Sequence, residues 1–250
     1  TSSSSSTDGA VIAQPAPQRT PRILVVVADG TVVALLLCLA AANSVIAALE
    51  PTIPLWLTGA SSSSELTLPN WSTGLVFMFA TVTYGVCSPL VGCLLAKTPS
   101  LAGGIGSGPG CIVIFGMLLL SAALPTIATA TTMPQLWRCI GGLVAIGLGM
   151  ACVDSGAMPQ LAGRVEAKHG SESFGSAFAL ADVALSLGYL SGPAASAALQ
   201  RALGGLLHAW MAYGAGLAAL SVFIVLMSAI CGRNGPVASP AGFRGSLLAG

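Results

Sequence analysis

Apolar residues along this chain come in six long runs, at 23–57, 72–96, 111–129, 137–163, 173–198 and 209–231. A helix needs about 20 predominantly apolar residues to cross a hydrocarbon core about 30 Å thick, and each run is about long enough. The pattern predicts an all-α membrane protein with six transmembrane helices, confined to residues 23–231. The Ser-, Pro- and Gln-rich stretch 1–22 has too little apolar surface to offset the entropy of ordering it, so it reads as a disordered linker. The stretch 232–250, with Arg233, Pro236, Pro240 and Arg244, reads as a disordered tail. The chain opens on Thr1 and a run of serines, without an initiator Met or a signal-peptide pattern, so it is expected to be a fragment of a longer protein.

The flanks of the runs predict an orientation, because Lys and Arg collect in short cytoplasmic loops. Arg19 and Arg22 precede the first run, Lys97 follows the second, Arg164 and Lys168 follow the fourth, and Arg233 and Arg244 follow the sixth. These positions fall on one side, and the other side has only Arg138 and Arg201. Both termini are therefore expected in the cytoplasm. The sequon Asn70-Trp71-Ser72 falls on the opposite side, where it reads better as a helix cap and an interfacial aromatic anchor than as a glycosylation site.

Composition supports lipid as the main solvent: 7% of the residues are charged and 54% are hydrophobic, too few charges to cover a soluble surface. A net charge of +1, with the basic residues scattered, gives no footprint for nucleic acid. The seven cysteines have neither a CxxC spacing nor a nearby histidine in a metal-ligand pattern, so they read as reduced packing residues. Neither a metal nor a cofactor is implied. Catalytic motifs are missing too: there is no Gly-x-Ser-x-Gly elbow, no His-Glu-x-x-His helix, and the glycine-rich stretch Gly103 to Gly110 has no Lys-Ser/Thr ending. The chain does not read as an enzyme.

Function is expected where polar residues fall inside the runs. A carboxylate within hydrocarbon costs at least about 2.5 kcal/mol on insertion scales, so it usually faces a cavity or a partner. Glu50, Asp154 and Asp182 are such residues. Asp154 and Asp182 lie similar distances from the cytoplasmic ends of adjacent runs, so they are expected to share a level near the midplane. Two carboxyls sharing a dry site hold protons more readily than in water, the chemistry that a proton-coupled carrier of cations needs. The alternative is that each is a structural partner for a polar group on a neighbouring helix. Asn43 and Glu50, seven apart, share a helical face, and Pro51 and Pro54 are expected to break the first helix near its end, with that face lining a pathway. Trp56 reads equally as a cavity wall or as part of an aromatic belt. Tyr84 and Tyr189 are placed to bring a hydroxyl toward Asp154, with a backbone carbonyl as the other partner for each.

These residues resemble a known family. Asp29 followed by Asn43-x6-Glu50-Pro51-x2-Pro54-x-Trp56 is similar to the seventh helix of the vesicular amine transporters, the monoamine and acetylcholine carriers of the major facilitator superfamily. Val153-Asp154-Ser155-x2-Met158-Pro159 resembles their tenth helix. Phe174-Gly175-Ser176-x-Phe178-Ala179-x-Ala181-Asp182, with Gly188-Tyr189-x2-Gly192-Pro193, resembles the eleventh. The resemblance runs from about Asp29 to Trp210. It implies helices 7 to 12 of a major facilitator fold, one six-helix half with a three-plus-three inverted repeat. It implies exchange of protons for a small organic cation, with coupling and amine recognition at Asp154 and Asp182, Asn43 and Glu50 lining the central site, Tyr84 and Tyr189 networking with Asp154, and Trp56 as a lumenal aromatic. The partners implied are the cationic substrate, protons, the lipid bilayer of a vesicle or other endomembrane, and the missing N-terminal half or a second copy of the chain. Two departures stand out. The loop after the second run keeps only Gly92 and Lys97 of the family signature, and the glycine-rich insertion follows it. Against this reading stand a major facilitator carrier of another solute and a non-transporting half that serves as a scaffold.

Overall fold

The computed structural model describes residues 29–59, 68–97, 109–169 and 174–232. The expected linker and tail, and most of the glycine-rich insertion, lie outside the described residues. The described chain forms six helices: α1 Gly30–Leu57, α2 Asn70–Lys97, α3 Pro109–Ala128, α4 Leu136–His169, α5 Phe174–Leu203 and α6 Leu206–Gly232. All six are long and apolar enough to cross a membrane. The fold is thus all-α, the six-helix arrangement expected of one half of a carrier, and the protein is a multi-pass membrane protein.

Local chemistry sets the helix ends. Asp29 caps α1, its Oδ1 accepting the Thr31 N–H at 3.0 Å and so satisfying one of the helix's orphan donors. Before α4, Gln135 Oε1 accepts the Thr131 N–H at 3.0 Å, closing a short 3-10 turn at Met133–Gln135. Between α5 and α6, Gly204 takes a φ of 71°, and its N–H reaches the Gln200 carbonyl at 3.1 Å. That left-handed C-terminal closure suits a residue without a Cβ, and it lets α6 start two residues later.

Two expectations about the helices need correcting. α1 continues through Pro51 and Pro54 to Leu57 rather than breaking at the prolines. Ile53 and Leu57 are fully buried there and Trp56 is 1% exposed, so packing holds the last turns despite the missing N–H groups. α4 also continues beyond its apolar stretch to His169, which places Arg164 and Lys168 on a helix and not in a loop.

α1 lies at the centre, touching all five other helices, with Leu35, Leu39, Ala42, Val45 and Leu49 in the core. Its main partner is α5; α4 packs on both α2 and α3, and α3 also packs on α6. Exchanging α1 with α4, α2 with α5 and α3 with α6 turns the α1–α5 pair into α4–α2 and maps α3–α6 onto itself, the pairing expected of two three-helix repeats. Small residues allow the close approaches. On α5, a Cβ at Gly188 or Gly192 would collide with the carbonyl oxygens of Ala40 and Ser44 on α1, and a Cβ at Gly147 on α4 would collide with that of Ala80 on α2.

Candidate functional site

The two helix pairs that this symmetry exchanges each carry a tyrosine hydroxyl bonded to a carboxylate. In the α2–α4 pair, Tyr84 donates to Asp154 Oδ2 at 3.0 Å. The other carboxylate oxygen, Oδ1, is buried without a hydrogen-bond partner. One turn along α2, Ser155 Oγ donates to the Ser88 carbonyl at 3.1 Å and lies 3.2 Å from Ser88 Oγ. Gly147, two turns before Asp154, lets α4 come close enough for these contacts.

In the α1–α5 pair, Tyr189 donates to Glu50 Oε2. Asn43 Nδ2 donates to the Leu185 carbonyl at 2.8 Å. Asn43 and Glu50 therefore reach the same neighbour from one face of α1, as their spacing predicts. Asn43, Leu185, Ser186, Tyr189 and Leu190 line an open groove of about 420 Å³. A bonded side chain, a phenol and a carboxylate beside apolar walls form a surface able to orient a small polar or cationic molecule.

The structure separates some of the residues that the sequence grouped together. Tyr84 meets Asp154 as expected, but Tyr189 meets Glu50 instead, because its helix packs on α1 and not against α2. Asp182 is exposed on α5 and has no hydrogen bond or ion pair among the described residues, so no direct contact joins it to Asp154. Trp56 is neither an exposed cavity wall nor part of a belt: it is buried against Trp210, ring centroids 6.4 Å apart. Trp71, by contrast, is 71% exposed at the start of α2, the placement of an interfacial anchor.

Several contacts escaped the sequence reading. Tyr213 donates to Ser44 Oγ at 2.8 Å, tying α6 to α1, and Ser121 donates to the Gly214 carbonyl at 2.7 Å, tying α3 to α6. Tyr213 lies in the last apolar run, and its hydroxyl was the available signal. At the end of the bundle bearing Lys97, Lys168 Nζ lies 2.7 Å from Asp29 Oδ2, joining the first helices of the two repeats. Burial works to raise the proton affinity of the Asp29 carboxyl, but Lys168, the Thr31 N–H and nearby Arg164 outweigh it and hold the group below its ordinary value. Asp29 had stood out only through its distance from Asn43, and its partner, 139 residues away (168 − 29), becomes visible only in three dimensions.

No family model matches the chain. Among curated proteins it is 32% identical over 163 residues to the chromaffin granule amine transporter of Homo sapiens, a match covering 65% of this chain and 28% of that protein. It is 30% identical over 167 residues to the human synaptic vesicular amine transporter, with the same shares covered. It is 29% identical over 162 residues to the probable vesicular acetylcholine transporter-B of Danio rerio, covering 65% of this chain and 30% of that protein. In each case the match takes in less than a third of the relative's length. Over that stretch the chain is similar to the vesicular amine and acetylcholine transporters.

Proposed function

We propose that this chain is part of a proton-coupled carrier that exchanges protons for a small organic cation across an endomembrane, with both termini in the cytoplasm, and that it is not an enzyme. Asp154 carries the proposal. Its carboxylate has one hydrogen bond, from Tyr84, and one buried oxygen with no partner. An acid in that state is satisfied either by a proton or by a cationic ligand, and competition between the two is what antiport requires. Glu50, held by Tyr189, and Asn43 supply a second polar surface on α1 and α5 for the cation. Asp182, exposed and without a partner among the described residues, is a further acid open to protons or substrate. The chain's similarity to amine transporters favours an amine over other solutes.

Transport needs a second wall. α2 buries only Val76 and Ala80, leaving Leu75, Met78, Phe79, Val82, Val86 and Leu90 exposed, a face that suits either another six-helix half or a second copy of the chain. The test is uptake of a radiolabelled amine into proteoliposomes holding the chain together with a matching N-terminal half, driven by an imposed pH gradient. Wild type should accumulate the amine only with the gradient, and Asp154→Asn should not accumulate it. Gradient-driven uptake that persists in Asp154→Asn overturns the coupling role.

A further inference from the structure

Among the described residues, Trp210 is a buried polar side chain with no role in the site so far. It is 1% exposed, and its indole Nε1–H has no acceptor. Buried donors are nearly always paired, so an indole seated this way is held by its ring contacts, and the unmet N–H makes the seat weaker than a paired one. The ring it meets is that of Trp56, at 6.4 Å and tilted by 59°, within the range favourable for aromatic pairs.

Trp56 belongs to a stretch of α1 with a weakened backbone. Pro51 and Pro54 have no N–H, so the carbonyls of Ala47 and Glu50 lose their usual helical donors. The neighbouring carbonyls of Ala48 and Pro54 also accept from the hydroxyls of Thr52 and Thr58, at 2.7 and 2.9 Å, and the Pro54 carbonyl keeps the Thr58 N–H at 3.1 Å, so neither orphaned carbonyl is relieved by them. With its hydrogen-bond ladder interrupted twice, the end of α1 that carries Glu50 depends on side-chain packing to stay in place. Trp210 has a firm base for that work, since it sits in the second turn of α6, directly after the Gly204 closure.

We propose that Trp210 is a positioning residue that seats Trp56 and so holds the segment from Glu50 to Leu57 closed, with its unpaired N–H keeping the seat weak enough to open. The importance of that opening for transport rests on the carrier reading above. The position of Trp56 can be measured without transport, so the two can fail separately.

The chain contains four tryptophans. Replacing Trp71 and Trp137, which are 71% and 77% exposed, with phenylalanine leaves the buried pair. On that background, in detergent micelles, Trp210→Leu and Trp210→Phe each leave Trp56 as the sole indole. Emission wavelength and iodide quenching then report its exposure, and the thiol reactivity of Cys38 and Cys139, 1% and 0% exposed, reports the fold. Trp210→Leu should red-shift Trp56 and steepen its quenching while both thiols stay unreactive. Trp210→Phe, which keeps an aromatic ring and removes the unpaired N–H, should leave Trp56 protected. Trp56 protected in both variants, exposed in both, or exposed together with the thiols overturns the proposal.

Discussion

The α2–α4 and α1–α5 pairs hold the same chemical unit, a tyrosine hydroxyl on a carboxylate, in different surroundings. Asp154 sits on a short side chain, half-buried, with one oxygen shut away without a partner. Glu50 sits on a longer one, exposed near the proline-bearing end of α1, with Asn43 two turns away and an open groove beside it. The helix contacts differ as well. Two glycines, Gly188 and Gly192, press α5 onto the carbonyls of α1, and Gly147 presses α4 onto the Ala80 carbonyl of α2. Symmetry of pairing therefore does not bring equivalent surroundings: one unit encloses a carboxylate oxygen without a partner, and the other holds its carboxylate at an exposed surface.

The comparison breaks most easily at the acids. Asp154→Asn should abolish gradient-driven uptake, while Glu50→Gln should weaken amine affinity and leave residual gradient-driven uptake at saturating substrate. Equal loss of coupling in both variants would make the two units equivalent after all.

The helix contacts come next. Gly188→Ala should destabilise the bundle by about 1–3 kcal/mol, the usual range for overpacking, because its Cβ meets the Ala40 backbone. Gly85→Ala on α2, where a Cβ has nothing within 4 Å, should be neutral or slightly stabilising. Thermal unfolding in detergent, monitored by helical circular dichroism, would separate them.

Removing the hydroxyls should have a smaller effect. Tyr84→Phe deprives a half-buried carboxylate of its hydrogen bond and should lower uptake by roughly 10-fold, about 1.4 kcal/mol and at the low end for a bond to a charged group. Tyr189→Phe, whose partner Glu50 is exposed to solvent, should lower it less. Initial uptake rates across external pH provide the check, and only the Tyr84 variant should shift the pH profile.

The smallest effect is expected where the two pairs are joined. Asp29→Ala removes both the α1 cap and the Lys168 pair and should cost about 1 kcal/mol, mostly through the cap, since Lys168 is 53% exposed and the pair is screened. The folded-state pKa of Asp29 is lowered from 3.8. Its contribution is therefore complete above that value and lost as the pH falls through the lower folded value. Unfolding midpoints of wild type and Asp29→Ala should converge only in that acid range.

Much of this was legible in the sequence. The six apolar runs fixed the number of helices because membrane thickness sets helix length, and the spacing of Asn43 and Glu50 put them on one face because helical period is local. Asp154 and a backbone carbonyl were both open as partners of Tyr84 and Tyr189; Tyr84 meets Asp154 and Tyr189 meets neither, because which neighbour a hydroxyl meets depends on helix packing, and no local pattern states that α5 lies against α1. The proline break was also misread: losing two backbone bonds is a local cost, and the burial of Ile53, Trp56 and Leu57 that offsets it is a tertiary gain.

By itself, then, the sequence determined what crosses the membrane and which polar residues go in with it, since hydrophobic length and the cost of a buried charge are properties of single segments. The tertiary structure alone decided how those residues pair: Tyr84 with Asp154, Tyr189 with Glu50, Trp56 with Trp210, Asp29 with Lys168. Each pair joins different helices, and its geometry is set by how closely small residues let those helices approach.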